Sequence, residues 1–205
     1  MSFYEDRILP HMINCACGSG TFHKQRNKVV PRALGKVVEI GIGTGLNLTH
    51  YDPAKVECVI GIDPSEKSWE LAQERVKAVP FHVEYRGLSG DQIPLEDKSM
   101  DSAVVTYSLC TIPDPVAALL ELKRVVKSGG SIHFSEHGLA PEDGVMKWQH
   151  RINPIWKRIA GGCHINRDIA GLFATAGIAL PELEAMYLPK TPKIAGFNVW
   201  GRAEV

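Results

Sequence analysis

The sequence predicts one α/β domain built on a doubly wound parallel sheet of seven strands. From residue 36 onward, short β-branched runs alternate with segments of helical apolar spacing, as a parallel sheet with helices on both faces requires. The chain has 205 residues, of which 44% are hydrophobic. This is enough to bury one α/β core and too little for two.

The elements follow from this alternation in chain order. Runs rich in β-branched or aromatic residues predict strands at 37–40, 56–62, 81–85, 102–107, 131–135, 182–188 and 197–203. Apolar residues at helical spacing predict helices at 66–77, 116–126 and about 167–176. We expect Lys127-Ser-Gly-Gly130 to end the second helix, because basic residues followed by glycines commonly stop a helix. The stretch 145–160 interrupts the alternation, and Pro154 leaves its helicity open.

Three alternating glycines follow the first strand and predict a cofactor site. Gly41, Gly43 and Gly45 permit positive φ angles and let a ligand lie against bare backbone, while the amides beyond them offer donors. A dinucleotide fingerprint would place its third glycine at position 46, which is Leu. The second strand ends in Asp63, where such folds place a carboxylate for ribose hydroxyls. The pattern therefore favours a nucleotide-like cofactor other than a dinucleotide.

The segment Glu39-Ile-Gly-Ile-Gly-Thr-Gly45, followed by Asp63, resembles the class I S-adenosylmethionine-dependent methyltransferases, whose first motif reads E/D-x-G-x-G-x-G. The resemblance implies a Rossmann-like, mostly parallel sheet that closes with a hairpin, the last strand running antiparallel. It also implies S-adenosylmethionine as the cofactor of an enzyme that transfers a methyl group.

The same resemblance implies which residues bind the cofactor. They are Glu39, Gly41, Gly43, Gly45, Asn47, Asp63, Pro64, Ser65, Ser89, Gly90, Asp91, Thr106, Tyr107 and Ser108. Glu39 and the glycine turn are expected at the methionine part, Asp63 at the ribose, and the loop 89–91 at the adenine. Asp63 could instead cap the following helix, and Asp91 could be a solvated loop acid.

Further downstream, Ser108-Leu-Cys-Thr-Ile112, Ser135-Glu-His137 and the series from Trp148 through Cys163 to Arg167 resemble the small thiol S-methyltransferases and their bacterial relatives. This resemblance implies a small-molecule thiol as the methyl acceptor, with acceptor-side residues Tyr4, Cys110, Glu136, Trp148, Trp156 and Cys163. One departure is the polar segment 2–28, where animal members carry an apolar anchor. A lipid amine, a quinone-like carbon, an oxygen acceptor and a non-catalytic cofactor-binding protein remain open.

His137 is the candidate catalytic residue. It follows the fifth predicted strand at the edge where ligands bind, and a thiol with a pKa near 8.5 must lose its proton before it attacks. His137 could equally be a capping or buried, hydrogen-bonded histidine. Trp148 and Trp156 could be core residues rather than a substrate wall, and a covalent role for Cys163 is not expected, because direct transfer needs no enzyme nucleophile.

Two segments outside the regular alternation have expected roles. Residues 1–30 are interpreted as an N-terminal lid over the cofactor, with a frayed terminus as the alternative. Residues 138–166 are interpreted as an insertion that forms the acceptor side of the single domain 1–205.

Composition excludes several classes of function. Lys plus Arg and Asp plus Glu both number 23, so no net field attracts nucleic acid or an anionic membrane. No apolar run approaches the roughly twenty residues of a membrane span. Five cysteines, with Cys58 and Cys110 in apolar contexts, indicate reduced thiols and a cytoplasmic location. No metal site is expected, because Cys15-Ala-Cys17 lacks C-x-x-C spacing. The oligomeric state is not predicted.

Overall fold

The computed structural model describes residues 9–205, and it confirms the predicted fold class. A single sheet of seven strands has the order β3-β2-β1-β4-β5-β7-β6. The strands are β1 (Gly35–Ile40), β2 (Val56–Ile62), β3 (His82–Arg86), β4 (Met100–Thr106), β5 (Val126–His137), β6 (Ala179–Tyr187) and β7 (Phe197–Glu204). β1 to β5 pair in parallel, whereas β7 is antiparallel to both β5 and β6.

Helices cover both faces of this sheet. They are α1 (Leu9–Cys17), α2 (Gly20–Val29), α3 (Glu66–Lys77), α4 (Pro115–Val125), α5 (Asp143–Ile159), α6 (Ile169–Thr175) and α7 (Lys193–Gly196). Short 3-10 turns follow α2 at Val30–Arg32 and the glycine turn at Leu48–His50. Within the described part of the chain, no helix combines the length and the apolar character that crossing a bilayer requires.

The strands read as continuous apolar runs because both faces of the sheet are buried. Successive side chains of a strand point to opposite faces. Ala103 and Val105 of β4 therefore join one core cluster, and Val104 between them joins the other. The first cluster includes Phe134 and Phe173, whose ring centroids lie 4.6 Å apart.

Element boundaries agree best where the sequence pattern is strongest. β2 and α3 have the predicted bounds. The second predicted helix, α4, ends at Val125, one residue before its predicted end, but the fifth strand begins at Val126 and not at residue 131, so residues 127–130 belong to β5. The amide of Gly129 and the carbonyl of Gly130 pair with Val205, and these bonds extend the strand. α5 continues through Pro154, which lies on the exposed side of the helix where water can satisfy the freed carbonyl.

The carboxyl ends of β1, β2, β4 and β5 meet at one edge of the sheet, since these strands are parallel. Ligands bind at this edge in open α/β sheets, where the strand order reverses. The reversal occurs here between β1 and β4.

Candidate active site

The glycine turn after β1 forms the floor of a cleft. Gly41, Gly43 and Gly45 all adopt positive φ, at 73°, 49° and 72°. A Cβ on Gly41 would lie 2.6 Å from the Cβ of Ser108 and closer still to its hydroxyl, so packing within the protein requires this glycine. The glycine turn, Arg26 and the end of β4 line this cleft together.

Gly43 is different, because a Cβ there would meet no protein atom at close range. The nearest atoms would be Asp63 Oδ2 at 3.7 Å and the Gly41 carbonyl oxygen at 3.8 Å. Gly43 lines the cleft, so the space beside it is available to a ligand. The protein's own packing leaves a place where a ligand can touch bare backbone.

Asp63 joins the end of β2 to the glycine turn. Its Oδ2 accepts a hydrogen bond from the Gly43 amide at 3.0 Å, and its Oδ1 accepts one from the Ser65 amide at 2.8 Å. Ser65 in turn caps α3 by accepting from the Ser68 amide. Burial raises the pKa of the Asp63 carboxyl. Each carboxylate oxygen keeps a second lone pair, so Asp63 can both hold the turn and accept from two hydroxyls.

A buried polar network lines the inner wall of the cleft. Arg26 Nε donates to Asn47 Oδ1 at 3.0 Å, and Asn47 Nδ2 donates to Glu39 Oε1 at 2.9 Å and to Thr106 Oγ1 at 3.0 Å. The Tyr51 hydroxyl donates to Glu39 Oε2 at 2.6 Å. Burial raises the pKa of Glu39 to about 7, although the bonds from Tyr51 and Asn47 favour its charged form.

Arg26 carries a buried positive charge that forms no salt bridge among residues 9–205, although the charges of Glu39 and Glu136 act on it from a distance. It is 3% exposed, and the described acceptors of its hydrogen bonds are Asn47 and the Cys17 carbonyl, both uncharged. Burial lowers the pKa of its guanidinium. Leaving a cation unpaired is costly, so the cleft is suited to a ligand that brings a carboxylate.

The end of β4 forms the opposite wall. Tyr107 has φ of 54°, which is uncommon for a residue other than glycine. Its hydroxyl donates to Asn198 Oδ1 at 2.8 Å, and the Arg26 guanidinium lies 5.2 Å from its ring centroid. Ser108 Oγ donates to the Thr106 carbonyl at 3.0 Å. Thr106, Tyr107 and Ser108 therefore all line the cleft.

Just beyond Ser108, the structure brings Cys110, His137 and Cys163 together. Their ligand-type atoms all lie within 4.8 Å of one another, and His137 Nε2 is 3.0 Å from Cys163 Sγ. Burial by itself lowers the pKa of His137, but the Cys163 hydrogen bond and the negative charge of Glu136 outweigh it, so the net direction is upward. The hydrogen bond with Cys110, together with burial, raises the pKa of the Cys163 thiol.

Glu136 lies beside this cluster and is completely buried. Its Oε1 accepts from the amides of Ser108 at 2.7 Å and Leu109 at 3.1 Å. Its Oε2 has no hydrogen-bond partner among the described residues. Burial raises the pKa of the Glu136 carboxyl, while the hydrogen bond from the Ser108 amide and the charge of His137 act against that rise.

The segment after α5 is fixed in place by buried amide side chains. Gln149 is fully buried, accepts from the Ala140 amide and donates to the carbonyls of Gly138, Ile165 and Ile194. The His164 amide donates to the Cys110 carbonyl at 2.7 Å. These bonds hold Cys163 next to the loop after β4.

Comparison with known proteins shows which family the chain belongs to. Residues 38–134 match the methyltransferase domain family. The thiol S-methyltransferase TMT1B of Rattus norvegicus is 33% identical over 171 residues, which cover 78% of this chain and 68% of that protein. The chain belongs to the class I S-adenosylmethionine-dependent methyltransferases.

Two further comparisons describe the relatives of this methyltransferase. A phosphatidylethanolamine N-methyltransferase of Cereibacter sphaeroides is 30% identical over 105 residues, which cover 50% of this chain and 51% of that protein. A solved structure of geranyl diphosphate methyltransferase with S-adenosylmethionine has a TM-score of 0.70 at 16% identity, covering 95% of this chain and 94% of that one. This second likeness concerns the fold alone.

S-adenosylmethionine is the cofactor of this methyltransferase, and the cleft fits it. Arg26 offers an unpaired cation for a carboxylate, Gly43 offers open backbone, and Asp63 offers free lone pairs for hydroxyls. The sequence did not point to Arg26. It lies in α2, far from the glycine motif, and nothing in its neighbourhood resembles a binding signature.

Four other residues that the sequence assigns to the cofactor, Pro64, Ser89, Gly90 and Asp91, do not line the cleft itself. Asp91 lines a separate depression with Glu121. Gly90 is buried, and a Cβ on it would lie 2.5 Å from Ile40 Cγ2, which leaves no room for a side chain. Ser89 closes a turn by accepting from the Gln92 amide. Pro64, next to Asp63, is exposed.

The two tryptophans of α5 differ in their surroundings. Trp148 is 56% exposed, and the Arg151 guanidinium lies 5.4 Å from its ring centroid. Trp156 is half-buried, and its Nε1 is buried without a partner in the described part of the chain.

The predicted lid is described from residue 9 onward, and Tyr4 lies outside the described residues. α1 lies against the glycine turn, with Thr44 Oγ1 donating to Asn14 Oδ1 at 2.9 Å. Ile13 and Cys17 of α1 line the cleft.

Proposed function

We propose that this methyltransferase methylates the sulfur of a small-molecule thiol. One observation carries the proposal: a buried cluster of sulfur and imidazole groups, formed by Cys110, His137 and Cys163, adjoins the cofactor cleft at Ser108. The 33% identity to a thiol S-methyltransferase over 78% of the chain supports the same acceptor class.

On the cofactor side, the proposal assigns a task to each group of the cleft. S-adenosylmethionine supplies an electrophilic methyl group, whose transfer to a thiolate forms a carbon–sulfur bond and leaves the donor as a neutral thioether. Arg26 binds the carboxylate of the methionine part, and Asp63 accepts hydrogen bonds from the ribose hydroxyls. Asn47 holds Arg26 in place and keeps its charge apart from that of Glu39.

On the acceptor side, His137 takes the thiol proton or orients the acceptor. A thiol with a pKa near 8.5 is only a few per cent ionised at neutral pH, so a nearby base raises the fraction of nucleophile. The buried carboxylate of Glu136 is next to His137 in sequence and stabilises the cation that forms when His137 gains a proton. Cys110 and Cys163 complete the pocket, and α5 contributes Trp156.

The proposal treats residues 1–205 as a single domain with two functional segments. Residues 138–166 form the acceptor side, because they carry Cys163 to His137. Residues 1–30 act as a lid, because Ile13 and Cys17 line the cleft. None of the five cysteines is in a disulfide, which favours a reducing compartment such as the cytoplasm.

Other acceptors use the same cofactor chemistry. The similarity to a phosphatidylethanolamine N-methyltransferase reaches only half of this chain, so it supports a lipid amine less strongly than the thiol. A quinone-like carbon, an oxygen acceptor and a non-catalytic protein that only binds the cofactor remain the alternatives to be separated by experiment.

The test is a panel of thiols, amines and phenols of similar size, incubated with S-adenosylmethionine labelled in its methyl group. We expect thioether products, and we expect His137→Gln to lower their kcat by roughly 10² to 10⁴, the usual effect of losing a general base. The matched control is His82→Gln, since His82 is exposed at the start of β3. Turnover of amines or phenols with no thiol product would refute the proposed acceptor.

A further inference from the structure

We propose that Cys110, His137 and Cys163 form a zinc site with one open coordination position. The two sulfur atoms and the imidazole nitrogen lie within 4.8 Å of one another. Two thiolates and one imidazole are a ligand set of zinc enzymes, and three protein ligands leave the fourth position of the tetrahedron to a substrate.

The three ligands come from three separate segments that the fold holds together. Cys110 lies in the loop after β4, His137 ends β5, and Cys163 lies in the loop after α5. The His164 amide donates to the Cys110 carbonyl at 2.7 Å, so the two cysteine segments are joined beside the site. Arg167 donates to the carbonyls of Leu109 and Ile112 and fixes the same loop from the other side. The site is therefore largely preorganised.

The distances are close to those that zinc requires. With zinc–sulfur bonds of about 2.3 Å and a zinc–nitrogen bond of about 2.0 Å, tetrahedral ligands lie about 3.5 to 3.8 Å apart. His137 Nε2 and Cys163 Sγ, at 3.0 Å, need to separate by only about half an ångström. Since no pair of these atoms is more than 4.8 Å apart, Cys110 needs to move by at most about 1.3 Å to complete the set.

The charges around the cluster are compatible with a bound cation. Glu136 is fully buried, and its Oε2 has no hydrogen-bond partner in the described chain. A buried carboxylate with an unsatisfied oxygen is costly unless positive charge is close by, and the charges of Arg26, Arg167 and His137 already act on Glu136. Glu136 immediately precedes His137 in β5, and its negative charge acts on that imidazole without a hydrogen bond between the two side chains.

The fourth position gives the site a function, and this step rests on the proposed thiol acceptor. With zinc bound, His137 Nε2 is a ligand and not a base, so the metal makes the thiolate, and the loss of rate in His137→Gln is the loss of a ligand. A thiol that binds the metal loses its S–H proton to solvent, because a coordinated thiol is deprotonated at neutral pH. Its sulfur then forms a bond to the methyl carbon while the bond between that carbon and the donor sulfonium breaks. The methylated sulfur is a neutral thioether, a weaker ligand than a thiolate, so product leaves.

The experiment measures metal binding without donor or acceptor. Chelator-treated protein comprising residues 1–205 is titrated with Co²⁺, whose thiolate charge-transfer band reports sulfur ligands, and the bound Co²⁺ is then displaced with Zn²⁺. Cys110→Ser and Cys163→Ser are compared with Cys58→Ser, whose cysteine lies half-buried in β2, away from the site. Circular dichroism confirms that each variant is folded.

We expect one equivalent of Co²⁺ with thiolate bands in wild type and Cys58→Ser. Affinity should fall at least about 100-fold in Cys110→Ser and Cys163→Ser, more than for the loss of a supporting residue. Adding 2-mercaptoethanol should intensify the charge-transfer band, whereas ethylene glycol should not.

Absence of the thiolate band in wild type overturns the site, as does a spectrum that Cys110→Ser and Cys163→Ser leave unchanged. If the charge-transfer band does not change when 2-mercaptoethanol is added, the proposed open coordination position is refuted. The proposed function fails by a different measurement: a zinc-loaded enzyme that methylates amines or phenols but no thiol refutes the acceptor class while the cobalt spectrum stands.

Discussion

Gly41 and Gly43 allow the same substitution to be tested in two different environments. Both adopt positive φ, so alanine at either position costs about 1 kcal/mol in backbone strain. At Gly41 the new methyl group would also overlap Ser108, at 2.6 Å from its Cβ. Overpacking of this kind typically adds about 1 to 3 kcal/mol. At Gly43 no protein atom lies closer than 3.7 Å to the new methyl group.

The two variants should therefore fail in different ways. Gly41→Ala should lose about 2 to 4 kcal/mol of unfolding free energy. Gly43→Ala should lose about 1 kcal/mol but bind S-adenosylhomocysteine at least tenfold more weakly, a change of about 1.4 kcal/mol, because its methyl group occupies the cleft.

Urea denaturation of the ligand-free protein measures the first quantity, and isothermal titration calorimetry measures the second. The reasoning fails if Gly43→Ala binds S-adenosylhomocysteine like wild type, or if the two variants lose equal unfolding free energy.

Three further predictions follow from buried polar groups. Arg26→Gln should weaken the binding of S-adenosylhomocysteine about 10- to 100-fold in calorimetry, because a hydrogen bond from a charged donor is lost. The binding of 5′-methylthioadenosine, which has no carboxylate, should not change. Equal losses for both ligands would contradict the assignment of Arg26 to the carboxylate. Burial lowers the pKa of His133 to about 4. Because the unfolded histidine titrates near pH 6.5, the unfolded state binds more protons between these pH values, and stability falls by up to about 3 kcal/mol as pH drops from 6.5 to 4. Urea denaturation should therefore show that His133→Gln loses less unfolding free energy than wild type between pH 6.5 and pH 4. An unchanged dependence of the unfolding free energy on pH would rule this out. Gln149→Met should lower the free energy of unfolding by about 2 to 4 kcal/mol, because it leaves one backbone amide and three carbonyls without their hydrogen-bond partner. Amide hydrogen exchange should become faster at residues 160–166. Exchange at the wild-type rate there would show that Gln149 does not hold Cys163 in place.

The sequence predicted the fold well because its strongest patterns are local. β2 and α3 were placed at their observed bounds, since an apolar run and a capped amphipathic helix each carry their own signal. The glycine turn and Asp63 were recognisable for the same reason, as a short motif fixes both the backbone and its partner.

The rest of the site depends on contacts between distant segments. Arg26 reaches the cleft from α2, and nothing near it in sequence marks it as a binding residue. The proximity of Cys110, His137 and Cys163 has no spacing signature, because each lies on a different loop or strand end. Helix α5 passes through Pro154 because that residue faces solvent, a fact that only the tertiary structure supplies.

Helix α1 has a kinetic consequence for turnover. It supplies Ile13 and Cys17 to the cleft and touches the glycine turn through Asn14 and Thr44, yet it belongs neither to the sheet nor to its crossover helices. Peripheral elements of this kind open at a lower free energy than sheet strands do. We therefore expect substitutions that loosen the packing of α1 to speed the release of the spent donor without changing the rate of methyl transfer, which rapid-mixing kinetics can measure.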